Sequence, residues 1–110
     1  MNDGQINTAI AESMGWTDIR PSEKWGLEGR HRDITRGSLL CDIPEYIEDL
    51  NAMHEVTQTL SASQQARFVA ELSRVVGGKD DYMDMRIYMI HSTAAHRAEA
   101  YLKTIGKWET

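Results

Sequence analysis

Apolar positions recur along this chain with a helical period at both ends and a shorter, broken period in between. Ile6, Ala9, Ile10, Ser13 and Met14 fall at helical spacing with Gly15 as a stop, which predicts a helix over residues 5–15. A second helix is predicted over 43–60. Asp42 would be its N-cap, Glu45 would complete a capping box, and Pro44 is tolerated in a first turn. On this helix Tyr46, Leu50, Met53, Thr57 and Leu60 share one arc with Ile43 and Ile47 on its flank, and His54 also falls on the apolar arc. Ser61 and Gln64 then have capping-box spacing, opening a helix over 62–76 whose face is Phe68, Val69, Leu72, Val75 and Val76, before Gly77-Gly78. A last helix over 93–105 starts at Ser92 or Thr93, uses Ala94, Ala98, Tyr101, Leu102 and Ile105, and stops at Gly106.

Between residues 16 and 41 the pattern changes. Arg20-Pro21-Ser22, Gly26, Gly29 and Gly37 interrupt it, while Trp16-Thr17-Asp18-Ile19-Arg20, Lys24-Trp25-Gly26-Leu27 and Ile34-Thr35 read as short extended pieces. Met83, Met85, Ile87 and Met89 alternate with Asp84, Arg86 and Tyr88, the period of a strand buried on one face. The expected fold is α+β: a small antiparallel sheet from residues 16–36 and 83–90, packed between helices in one domain of 110 residues.

Charge sharpens this outline. The 12 basic and 17 acidic residues leave a net −5, matched by five carboxylates between Asp42 and Leu60 (Asp42, Glu45, Glu48, Asp49, Glu55) where no Lys or Arg stands. This acidic balance argues against binding duplex nucleic acid through its phosphates. With 41% hydrophobic residues the chain is no disordered segment. Cys41 has no partner for an internal disulfide, and the sequence carries neither an apolar run of spanning length nor a charged-then-apolar leader pattern. A cytoplasmic protein without membrane contact is therefore expected.

Three stretches together resemble a known family: Ala11-Glu12-Ser13-Met14-Gly15-Trp16, the helix from Tyr46 to Leu60, and Ser92-Thr93-Ala94-Ala95-His96-Arg97-Ala98-Glu99-Ala100. In this order they resemble the phage ABA-sandwich domain family, small bacteriophage and prophage proteins layered as helix, sheet, helix. The stretch around Asn51 and His54 is more polar than that pattern, and the helix over 62–76 is an addition to it. The resemblance implies a phage product acting in the host bacterial cytoplasm. It transfers no catalytic residue.

The side chains themselves favour binding over catalysis. The spacings of His31, His54, His91 and His96 do not fit a zinc site, and neither a phosphate loop nor a nucleophile motif is present, so neither enzyme activity nor a cofactor is expected. The region over 16–36 combines aromatic faces with guanidinium groups. Trp16 and Trp25 would stack on an anionic nucleotide-like ligand while Arg20, Arg30, Arg32 and Arg36 hold its phosphate. In the bland counterpart Trp16 and Trp25 seal the core edge and the arginines answer Asp18, Glu23, Glu28 and Asp33. A second surface is the acidic row Glu45, Glu48, Asp49 and Glu55, which would imitate nucleic acid and dock on a host protein. The functions in view are therefore sequestering such a ligand to counter a host process such as a defence system, inhibiting a host protein, or serving as a virion or assembly accessory. Six methionines supply adaptable apolar surface, which leaves a homo-oligomer open.

Overall fold

A computed structural model describes residues 1–22, 26–31, 40–76 and 92–109. Among them the elements run α1 (Asp3–Ser13), β1 (Trp16–Pro21), β2 (Leu27–His31), β3 (Cys41–Asp42), α2 (Leu50–Gln58), α3 (Ala62–Val75) and α4 (Ala94–Ile105). The strands form one antiparallel sheet in the order β1-β2-β3. The fold is thus α+β, as the change of period predicts. The predicted strand over 83–90, the piece Ile34-Thr35 and the Gly77-Gly78 stop lie outside the described residues.

Local chemistry sets the helix ends. α1 starts two residues before the predicted 5–15 because Asn2 and Gln5 form a reciprocal capping box: the Gln5 amide donates to Asn2 Oδ1 at 2.8 Å and the Asn2 amide donates to Gln5 Oε1 at 2.9 Å. The predicted Ser61/Gln64 box is present at the head of α3. Thr93 caps α4, and Gly106 ends it with a left-handed φ of 76°.

The predicted helix over 43–60 needs correction. Cys41 and Asp42 pair with Gly29 and Glu28 as β3, and the Ile43 amide continues the ladder by donating to Leu27 O at 2.9 Å. Pro44 then bars Ile43 from helical backbone. A single turn follows, its Glu48 and Asp49 amides both donating to Glu45 O at 2.8 Å, before the chain extends again at Asp49. Asp49, not Asp42, is the N-cap: its carboxylate accepts from the Ala52 amide at 3.0 Å. Glu45 closes no capping box and instead lies half-buried, accepting from Asn7 Nδ2 at 3.3 Å. Asp49→Ala is therefore expected to lower stability by about 1 kcal/mol in urea denaturation. Asp42→Ala, which removes a carboxylate standing opposite Glu28 on the sheet, should cost little or nothing.

The core is organised around α4 rather than the acidic stretch. Ala94, Ala98, Ala100, Tyr101 and Leu102 are buried on several sides of this helix, which touches α1, α2 and α3. Its alanines have no side chain beyond Cβ to hold the neighbours off, so α3 packs closely through Phe68 and Leu72. On α2, Met53, Val56 and Thr57 face inward, whereas His54 is exposed with its Nε2 at 2.9 Å from Gln58 Nε2, contrary to its predicted place on the apolar arc. The sheet meets the helices where β1 packs on α1.

Trp16 and Tyr46 close that junction. Both are buried, and Trp16 hydrogen-bonds the Tyr46 hydroxyl. Burial raises the Tyr46 pKa above its ordinary 10.0; the Trp16 hydrogen bond works against this, while Tyr101 and Glu55 add to it. A raised folded pKa means the unfolded chain ionises first. The associated stability is present below pH 10 and is lost as pH rises through the folded value. Melting temperature should therefore fall more steeply above pH 10 in the wild type than in Tyr46→Phe, as followed by circular dichroism.

Candidate functional site

The exposed face of the sheet follows from strand register. Thr17 pairs with Arg30 and Arg20 with Glu28, so Asp18 and Ile19 both stand opposite Gly29 in a bulge of β1. Asp18 carries the extra residue's conformation, a left-handed φ of 53°. Gly29 makes room for it. A Cβ at that position would lie 2.9 Å from Thr17 O and 3.1 Å from Ile43 Cδ1. Because successive strand residues alternate between faces, Glu28 and Arg30 point away from buried Gly29, with Arg20 beside Glu28.

Beside the bulge lies a recess of about 310 Å³ lined by Asp18, Ile19, Arg20, Arg30 and Leu40. Among the described residues two guanidinium groups and one carboxylate line it, an excess of one positive charge on a chain of net −5. Arg30 donates from Nη1 to Asp18 Oδ2 at 2.8 Å, and Arg20 donates from Nε to Glu28 Oε1 at 3.1 Å. The Arg30 and Asp18 side chains are 41% and 58% exposed, so their ion pair is worth no more than about 1 kcal/mol. The Nε of Arg30 is different. It is buried and has no hydrogen-bond partner, the only such side-chain atom among the described residues. Leaving a buried donor unmet costs about 1–3 kcal/mol, so an acceptor reaching it would gain at least that group's share.

Of the predicted ligand-binding residues, Arg20 and Arg30 are brought together here. Trp16 is not. It is 5% exposed, with its ring centroid 5.1 Å from that of His31 at an interplanar angle of 63°, so it belongs to the core edge and offers no free stacking face. His31 is held in turn by a ring nitrogen, Nε2, at 2.8 Å from Met14 O. Trp25, Arg32 and Arg36 lie outside the described residues. Both halves of the bland expectation that the described residues can report are seen: Asp18 answers Arg30, and Glu28 answers Arg20.

The predicted acidic surface does not form one stripe. Glu45 is tucked between Asn7 and Gly26, Asp49 is engaged as a cap, and Glu48 and Glu55 are exposed on a turn and on α2 respectively. A larger open groove of about 870 Å³ runs between α1, β1 and the last described residues, where the Met1 ammonium donates to Glu109 O at 3.3 Å. Among the described residues it is lined by the Met1 ammonium, Arg20 and Lys107 as well as Glu12 and Glu109, so charges of both signs are interspersed along it. Among the described residues no three His, Cys, Asp or Glu side chains converge on a metal position, and no helix is long and apolar enough to cross a membrane.

Asp18, Ile19 and Leu40 complete the recess without having been expected there. An aspartate inside a strand-like run facing a glycine on the next one was the available signal, since Gly in a strand interior often marks a bulge. Leu40 gave no such signal. Its place depends on β3, which the helix prediction had absorbed.

Comparison of the chain with protein-family models, with curated proteins and with solved structures finds no match in any of the three. The class defined by fold and site is a small α+β domain with an arginine-lined recess on an exposed sheet face.

Proposed function

We propose that this protein is a non-enzymatic binding protein that holds an anionic, nucleotide-like ligand at the Arg20/Arg30 recess. One observation carries the reading: the guanidinium groups of Arg20 and Arg30 line one recess, and Arg30 also keeps a buried Nε without a partner. Arginine presents its donors as a planar fork suited to phosphate oxygens, and the Asp18 carboxylate now paired with Arg30 is exposed and weakly held, while Glu28 beside Arg20 is partly buried. The resemblance to phage ABA-sandwich domains supplies a context, in which sequestering such a ligand counters a host process such as a defence system.

Nothing observed favours the acidic-surface alternative, because its carboxylates are spread over a turn, a cap and a helix. A thermal-shift screen against mono-, di- and cyclic nucleotides at low and moderate salt tests the proposal. Ligand at a hundredfold excess over its dissociation constant stabilises the folded state by about 2.7 kcal/mol, which is readily seen. The expected result is a rise in melting temperature with phosphate-bearing ligands that shrinks as salt increases. A flat response across the panel would contradict it.

A further inference from the structure

We infer that the groove beside α1 is the second half of the site, that it holds the base of a nucleotide ligand, and that Glu12 selects guanine there. The inference rests on the binding reading above and adds the identity of the base to it.

Ile19 and Arg20 line both the recess and the groove, so a ligand whose phosphate meets Arg20 has the groove of about 870 Å³ open to its remainder. Ligand pockets measure roughly 300–1,000 Å³, and the groove is large enough for a sugar and a base. Its two walls differ in chemistry. On the strand side Ile19 and Leu27 are half-buried and packed on the core, an apolar surface against which a flat ring can lie. On the helix side Gln5, Thr8 and Glu12 follow one another at i, i+3 and i+7, the spacing of a single helix face. From Gln5 to Glu12 the helix advances about 10 Å at 1.5 Å per residue, a length that a mononucleotide can span. Glu12 is exposed and takes part in none of the four ion pairs among the described residues. Glu109 lines the groove too, but the Met1 ammonium bonds its carbonyl oxygen at 3.3 Å, so a positive charge already stands beside it.

Charge sets the direction of the ligand and the edge of the base that is read. A carboxylate repels phosphate, so the phosphate stays with the guanidinium groups and the base comes to Glu12. An ionised carboxylate only accepts hydrogen bonds, and it has two oxygens with which to do so. Guanine offers two parallel donors on one edge, N1–H and the 2-amino group, and one carboxylate can meet both. Adenine and cytosine set a ring-nitrogen acceptor beside the amino donor, which turns a lone pair toward the second oxygen. Uracil sets its single N3–H donor between two carbonyl oxygens. Glu12 therefore favours guanine over the other three bases.

The test is calorimetric titration of the wild type and Glu12→Gln with guanosine 5′-monophosphate and, separately, adenosine 5′-monophosphate at low salt. Glutamine keeps the size and helix preference of glutamate but puts an amide NH₂ donor in place of one acceptor oxygen. The wild type should bind the guanine nucleotide about tenfold more tightly than the adenine nucleotide, equivalent to about 1.4 kcal/mol and close to the lower end for a hydrogen bond to a charged group. Glu12→Gln should bind the two alike, with no loss of affinity for the adenine nucleotide. A role for Glu12 in the fold alone would lower both affinities together and leave their ratio in place, which makes the ratio the deciding readout. Equal binding of the two nucleotides by the wild type, or a preference for adenine, overturns the guanine site while sparing the recess. A guanine preference that survives in Glu12→Gln does the same. No binding of either nucleotide by the wild type overturns both.

Discussion

Replacing Arg30 with alanine is expected to abolish anion binding while moving the melting temperature by a degree or two at most. The two halves of this result have separate causes. Binding depends on Arg30 because its Nε is the one orphaned buried side-chain donor among the described residues, and Arg20 alone cannot supply a second guanidinium to the recess. Removing a charge-assisted contact to phosphate costs about 1.5–3 kcal/mol, a factor of ten or more in affinity. Stability hardly depends on it, because the Arg30 side chain is 41% exposed and its pair with Asp18 is a solvent-screened surface contact. Loss of the orphaned buried donor partly offsets even that. Titration beside thermal denaturation checks both halves. A large drop in melting temperature would mean that Arg30 holds the bulge together and that lost binding reports unfolding.

The largest effect on stability is expected from Phe68→Ala. Phe68 is 1% exposed on α3 and packs within the same core as Ala98 and Leu102 of α4. Truncating a buried phenylalanine costs about 3–5 kcal/mol from lost transfer energy and the cavity left behind. For a domain of 110 residues that is a large part of a total stability of roughly 5–15 kcal/mol. Urea denaturation at 25 °C should show a much lower midpoint with an unchanged slope. The alanines of α4 have already brought the two helices close, and their own short side chains cannot move in to fill the void.

How much of this was legible in the chain depended on how local the cause was. The start of α3 rests on a contact three residues apart, Ser61 with Gln64, and the stop of α4 on the left-handed Gly106, both legible from spacing. Spacing narrows the start of α4 only to Ser92 or Thr93, and the Thr93–His96 box decides for Thr93. The start of α2 was misread because Asp42, Pro44 and Glu45 satisfy the rules of a helix N-terminus, while the ladder that claims Asp42 comes from Glu28, far away in sequence. His54 was misplaced for a related reason: helical spacing fixes an angle but not which neighbour covers it. The site was half legible. Arg20 and Arg30 were expected as phosphate donors and stand in one recess, whereas Trp16 is buried because Tyr46 and His31 converge on it from other parts of the chain. The bulge at Asp18 depends on a register shift between two strands, which no single-strand pattern contains.

The most direct test of the proposed site is to watch the Arg30 donor itself, using ¹H–¹⁵N spectra of the arginine Nε–H groups during a titration with inorganic phosphate. The predicted result is a saturable displacement of the Arg30 Nε–H signal, larger than that of Arg74 or Arg97, which lie on α3 and α4 away from the recess. An Arg30 signal that stays in place while phosphate binds elsewhere, or does not bind at all, would contradict the assignment of this recess.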